Sequence, residues 1–208
     1  MKTCLAILAH EGSEETVSDF MPRWRALGVP VWGCYPEKDL PADDWWDEMI
    51  FTGKSAHAGH EVFKRFCETC DILADEDFDL FVIAEYDTAN LGEDLPTWSP
   101  DSLSSYLVDI GESFMCMLSP WVMTKHTLGY FIEAMQIELS KDPECLESKG
   151  LLDRWIGIVC ERHDIPFAMC DNSLSYPWHV GAHDRIKRMG YQWVHGWKHA
   201  ADFKDLWK

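Results

Sequence analysis

Positive charge is scarce in this chain. Lys and Arg number 18 against 36 Asp and Glu, which gives a formal net charge of −18 over 208 residues. That balance opposes nonspecific binding to polyanions. Long apolar runs are also missing, and none approaches the roughly 20 residues a membrane-spanning helix requires. The opening segment carries one basic residue and a short apolar stretch that runs into His10-Glu11-Gly12-Ser13-Glu14-Glu15. A buried first strand fits it better than a signal peptide. Eight cysteines show no disulfide-framework rhythm, so reduced thiols and a soluble, cytoplasmic protein are expected. No Gly-x-Gly-x-x-Gly follows the first strand, which weakens a dehydrogenase reading. No Gly-x-Ser-x-Gly elbow supports a serine hydrolase. Gly53-Lys54-Ser55 resembles the end of a P-loop, but the full pattern requires Gly where Glu48 stands.

What is present is enough for a core. The chain is 47% hydrophobic and 13% aromatic, which excludes global disorder and suits one substantial domain. Repeats, low-complexity tracts and a convincing linker are lacking, so residues 1–208 are read as a single domain. Residues 3–10 read as a buried strand. Ser13 is placed to cap a helix whose first turn holds Glu14 and Glu15 and which ends at Leu27-Gly28. Residues 29–35 read as a second strand, giving a parallel βαβ start. A helix is expected from about Ser55 to Ala74, then a strand over 78–85. Residues 88–104 are turn-rich. Strands are expected at 105–110 and 114–118, and helices at 126–140 and 151–163. A Pro-containing strand region at 165–169, a loop at 171–183 and a short strand over 190–195 complete the reading. The expected class is α/β, with a central, mostly parallel mixed sheet flanked by helices.

Charge is uneven along this frame. From His179 to Lys208 there are six basic and three acidic residues, a net of +3, which leaves −21 for residues 1–178. A solvated basic tail is one reading of that segment, and a phosphate-facing surface is the other.

Two motifs carry the chemistry. Glu85-Tyr86-Asp87 closes the apolar run of residues 78–84, and His195-Gly196-Trp197-Lys198 follows the last expected strand. Ligands of open α/β sheets gather at such strand ends. Carboxylates suit Mg2+ and Mn2+, and one imidazole is acceptable to Mn2+. Glu85 and Asp87 can therefore reach a metal and an anionic ligand, with His195 as a remote third ligand. Gly196 lets backbone approach a phosphate, and Lys198 supplies a point charge. Taken alone, an acidic strand end is an ordinary solvated turn.

The paired motifs resemble those of metal-dependent glycosyltransferases of the GT-A fold, which carry an acidic Asp-x-Asp-type motif after a core strand and, in several families, a late His-Gly-x-Lys-like element. The match departs in beginning with Glu85 rather than Asp. The resemblance implies a Rossmann-like GT-A domain, with a nucleotide-binding part at about 1–90 and an acceptor and metal-completing part at about 91–208. It implies Asp87 and His195 as ligands of Mn2+ or Mg2+, and Glu85 as a metal or ribose contact. Lys198 becomes a phosphate contact, and Ala9, His10 and Glu11 lie near the base or ribose. Trp197, inside the motif, is a stacking residue. GT-A enzymes often place an acidic residue on a helix beside the acceptor, and Asp153 holds that place in the order. There it would be the general base of an inverting enzyme. A carboxylate favoured by the helix dipole is the alternative for Asp153. The implied reaction moves a sugar from a UDP-hexose, such as UDP-glucose, to an acceptor hydroxyl. The acceptor suggested is a hydroxymethylated pyrimidine in viral DNA, with a small molecule or a glycan as alternatives.

Two other functions compete. A sugar-phosphate nucleotidyltransferase shares the strand-end metal site but has an early Gly-rich loop, where this chain has only Gly12. A non-catalytic zinc module would use His57, His60, Cys67 and Cys70. All four fall on one expected helix, and a straight helix does not wrap four ligands around one ion. Cys67-Glu68-Thr69-Cys70 as a redox pair lacks the preceding strand such a motif requires.

Overall fold

The computed structural model describes residues 1–36, 45–53, 60–109, 115–141, 151–175 and 182–196. In chain order these form β1 (Thr3–Leu8), α1 (Glu14–Ala26), β2 (Val31–Tyr35), β3 (Glu48–Phe51), α2 (His60–Asp75), β4 (Leu80–Glu85) and β5 (Ala89–Asn90). Then follow β6 (Leu103–Asp109), β7 (Met115–Thr124), α3 (Lys125–Ser140), α4 (Leu152–Arg162), β8 (Phe167–Met169), β9 (Ser173–Ser175), α5 (Ala182–Met189) and β10 (Trp193–His195). Seven strands make one sheet in the order β3-β2-β1-β4-β7-β6-β8, and β5, β10 and β9 make a second, smaller one. The first four strands of the large sheet run parallel. β7 is antiparallel to both β4 and β6, and β8 runs parallel to β6. The sheet is thus mixed and flanked by helices.

The apolar runs of β1 and β4 are continuous because both faces of the sheet are covered. Alternate side chains divide between two cores. Cys4, Ala6, Phe81 and Ile83 pack with Phe63 and Phe66 of α2, Phe131 of α3 and Trp155 of α4. Leu5, Ile7, Leu80, Val82 and Ala84 pack with Phe20 and Trp24 of α1, Ile186 of α5, and Trp193 and Val194 of β10.

Several expectations change at this level: β5 forms inside the turn-rich stretch at 88–104, and α5 begins inside the expected loop at 171–183. β3 forms where no strand was expected, as the parallel edge neighbour of β2. The stretch expected to be a loop at 171–183 contains β9, a three-residue strand whose backbone is paired along β10. Ser13 is the first cap residue of α1, but its hydroxyl makes no cap bond. It donates instead to the His10 carbonyl at 2.6 Å and accepts from the His10 N–H at 3.2 Å, bracing the turn after β1. That local turn outcompetes the helix end for the same oxygen.

Candidate metal centre

Glu85 ends β4 on the side of the sheet shared with Phe81 and Ile83. Its N–H donates to the Ser119 hydroxyl of β7 at 3.0 Å. Its carbonyl accepts from the Thr88 N–H at 2.9 Å, closing a tight turn through Tyr86 and Asp87. Thr88 and Ser119 share a hydroxyl bond of 2.8 Å, and the Trp24 indole N–H donates to the Thr88 carbonyl at 3.1 Å. The turn is therefore held from β7 below and α1 beside it. Directly after it, β5 pairs antiparallel with β10, Ala89 opposite Val194. That register carries His195 back alongside the turn it faces. Gly196 follows with φ +87°, a left-handed conformation that glycine adopts without penalty.

The result is a cluster from residues 110 apart in sequence. His195 Nε2 lies 2.6 Å from Glu85 Oε2 and 3.5 Å from Asp87 Oδ1. One donor atom from each of Glu85, Asp87 and His195 lies within 4.8 Å of the others. Asp87 and His195 are buried, at 6% and 7% exposure. On the far side of the ring, Nδ1 lies 2.9 Å from Ser175 Oγ. Burial disfavours charge on His195, but Glu85, Asp87 and Asp153 outweigh it and raise its pKa.

Asp153 stands in the first turn of α4, half-buried, its Oδ1 accepting from the Arg154 N–H at 2.9 Å. Burial raises its pKa against the Arg154 bond, and the charge of Glu85 adds to the rise. His195 acts the other way. Asp153 is thus within electrostatic range of the cluster and outside its group of donors. His10 packs edge-on against Tyr86, ring centroids 4.6 Å apart, so the end of β1 adjoins the turn. Glu11 is exposed beside it. Ala9 is buried with both backbone groups engaged: its N–H donates to the Cys34 carbonyl and its carbonyl accepts from Arg65. Trp197 and Lys198 lie outside the described residues, as does His57. Cys67 and Cys70 sit in the core on α2 with Phe63 and Phe66. Burial pushes the Cys67 thiol up to about 12 and Cys70 upward as well, the opposite of what a thiolate ligand requires.

Sequence reasoning did not single out Ser119, Thr88, Ser175 or Arg65. Arg65 is buried and its Nη2 donates to the carbonyls of Ala9 and Cys34, each at 2.7 Å, tying the ends of β1 and β2 together. The only local signal for Ser175 was the polar–apolar–polar alternation of Ser173-Leu174-Ser175, too short to read as a strand.

The donor set suits a divalent cation. Two carboxylates and a neutral imidazole match Mn2+ well and Mg2+ through the oxygens. Bonds of about 2.1 Å place two donors about 3–4 Å apart, so small side-chain adjustments would bring all three onto one ion. Among the described residues, Glu85 and Asp87 contact the imidazole and Asp153 acts on it through its charge, so carboxylates outnumber the one imidazole there. No protein-family model matches the chain, and no curated protein matches it either.

Proposed function

We propose that this protein is a metal-dependent glycosyltransferase that moves a hexose from a UDP-hexose to an acceptor hydroxyl. The observation that carries the proposal is the convergence of Glu85, Asp87 and His195 beside the end of β1. In the order β3-β2-β1-β4, the crevice between β1 and β4 is where the strand order reverses, and open α/β sheets bind ligands there. A bound Mn2+ or Mg2+ would neutralise charge developing on the leaving diphosphate. Asp87 and His195 would hold it, and Glu85 would complete the set or contact the ribose. His10 and Tyr86 offer flat surfaces beside the site for the nucleotide. Asp153, with a raised pKa, takes the acceptor proton in an inverting transfer.

The proposed acceptor is a hydroxymethylated pyrimidine in viral DNA. Arg185, Lys187 and Arg188 are exposed on α5, and Ile186 of that helix packs in the same core as Trp193 and Val194, the residues leading to His195. Their side chains place positive charge on the surface of an otherwise acidic protein, as a phosphate backbone requires.

The test is a screen of nucleotide sugars for Mn2+-dependent hydrolysis, repeated with hydroxymethylated DNA and with small acceptors. Donor turnover that requires Mn2+ and disappears in both Asp87→Ala and His195→Ala supports the proposal. Binding and turnover unchanged in both variants would sink the site assignment. Transfer to small acceptors alone would remove the DNA.

A further inference from the structure

We infer that Ser175 is a positioning residue for the metal site: it holds the His195 ring so that Nε2, not Nδ1, faces Glu85 and Asp87. The inference rests on the metal-site reading above and adds a residue to it. It begins from register. β9 and β10 are parallel neighbours with Ser175 opposite His195. Paired residues on adjacent strands project from the same face of a sheet. The hydroxyl and the imidazole are therefore brought side by side by backbone pairing alone.

The contact is buried and directional. Ser175 is 5% exposed and His195 7%, and Oγ to Nδ1 is 2.9 Å. An imidazole that ligates through Nε2 presents its lone pair there and must carry its proton on Nδ1. That Nδ1–H then needs an acceptor, because a buried donor without one costs the full desolvation of the group. Ser175 Oγ is the acceptor in place. Histidine ligands are oriented in this way by a hydrogen bond to their second nitrogen. A hydroxyl, unlike a carboxylate, does so without adding a fourth negative charge to a cluster that already faces Glu85, Asp87 and Asp153.

The experiment is Mn2+ titration of the full chain, with free Mn2+ read by electron paramagnetic resonance and melting of the metal-free protein recorded alongside. Ser175→Ala is expected to weaken Mn2+ binding about 10–100-fold, the range for loss of such a partner. Ser175→Thr and Ser175→Val add the same volume and differ in the hydroxyl, so packing effects cancel between them. The Thr variant is expected to bind about 10-fold or more tightly than the Val variant, with the two melting alike. Equal Mn2+ affinity in the Thr and Val variants would overturn the role of Ser175 while leaving the metal site intact. If Asp87→Ala and His195→Ala also leave Mn2+ binding unchanged, the metal reading itself fails and the role of Ser175 goes with it.

Discussion

Two histidine–carboxylate clusters occupy opposite ends of α4, and their charge runs in opposite directions. At the foot of the helix, Glu138 of α3 is 1% exposed and accepts from Lys141 Nζ at 2.6 Å, Arg162 Nη1 at 2.8 Å and His163 Nε2 at 2.8 Å. One carboxylate there meets three cationic or donor groups, and its charge is fully answered by protein. At the head, Glu85 and Asp87 lie 2.6 and 3.5 Å from His195 Nε2, and Asp153 acts on the same ring through its charge. The foot cluster resembles a structural clamp between α3 and α4. Among the described residues the head cluster has more carboxylates than the one imidazole can balance, a charge that a bound cation would relieve. Placement along α4 suits both, since an acid at a helix N-terminus and a base at its C-terminus each complement the dipole.

The widest separation of the two should come from chemistry. If the proposed transfer is correct, Asp153→Asn lowers turnover about 10²–10⁴-fold, the usual worth of a general base. Donor affinity and Mn2+ affinity, measured by titration, should stay near those of the parent. Glu138→Gln should leave turnover of folded protein intact. Equal losses in both variants would mean that the head of α4 acts through stability, as its foot does.

Stability should reverse the ranking. Glu138→Gln removes the hub of three charge-assisted bonds and is expected to cost about 3 kcal/mol. For a chain of this size that lowers Tm by about 6–12 °C in a thermal melt. Mn2+ should not change the size of that loss, because no part of the foot cluster touches the head.

Saturating cation should then sharpen the contrast. A ligand that binds only the folded state at about 100 times its Kd adds about 2.7 kcal/mol. Mn2+ should therefore raise the Tm of the parent and of Glu138→Gln alike, and leave His195→Ala unmoved. A Tm increase that survives in His195→Ala would place the cation elsewhere.

The two clusters were unequally legible in the sequence, and the reason is physical. Glu85, Asp87 and His195 fall at the ends of strands whose apolar runs are readable, because β4 is buried on both faces and β10 follows a glycine turn. Their meeting is a different matter. It depends on a three-stranded sheet of two- and three-residue strands, which carry no periodicity and form only because backbone pairing across β5, β10 and β9 supports each of them. Ser175 was hidden in that way, inside a stretch with the composition of a loop. β3 was lost for a similar reason: four residues at a sheet edge, preceded by an acidic run, do not alternate long enough to be seen. The foot cluster left no local trace at all. Glu138 reads as one more acid on an amphipathic helix, and its partners Arg162 and His163 come from another helix, 24 and 25 residues away. α2, α3 and α4, with 11 residues or more each, were readable as periodic elements, whereas the contacts between their ends were not.

The smallest effect is expected in acid, and it belongs to the foot cluster. Burial by itself would raise the Glu138 carboxyl, but Lys141, His163 and Arg162 more than reverse this and hold it down at about 2. The unfolded chain titrates Glu near 4.3. Because the folded pKa is the lower one, the stability Glu138 contributes is fully present above that unfolded value. It is lost as pH falls from about 4.5 toward about 2, where the folded carboxyl takes its proton. Lys141 and Arg162 are half exposed, so solvent screening reduces the effect to about 1–2 kcal/mol. Urea unfolding of the parent and of Glu138→Gln across that window should show the gap between them narrowing as the pH drops. A gap that stays constant from neutral pH to pH 3 would mean the clamp works by packing and neutral hydrogen bonds, and the contrast of charge between the two ends of α4 would then rest on the head cluster alone.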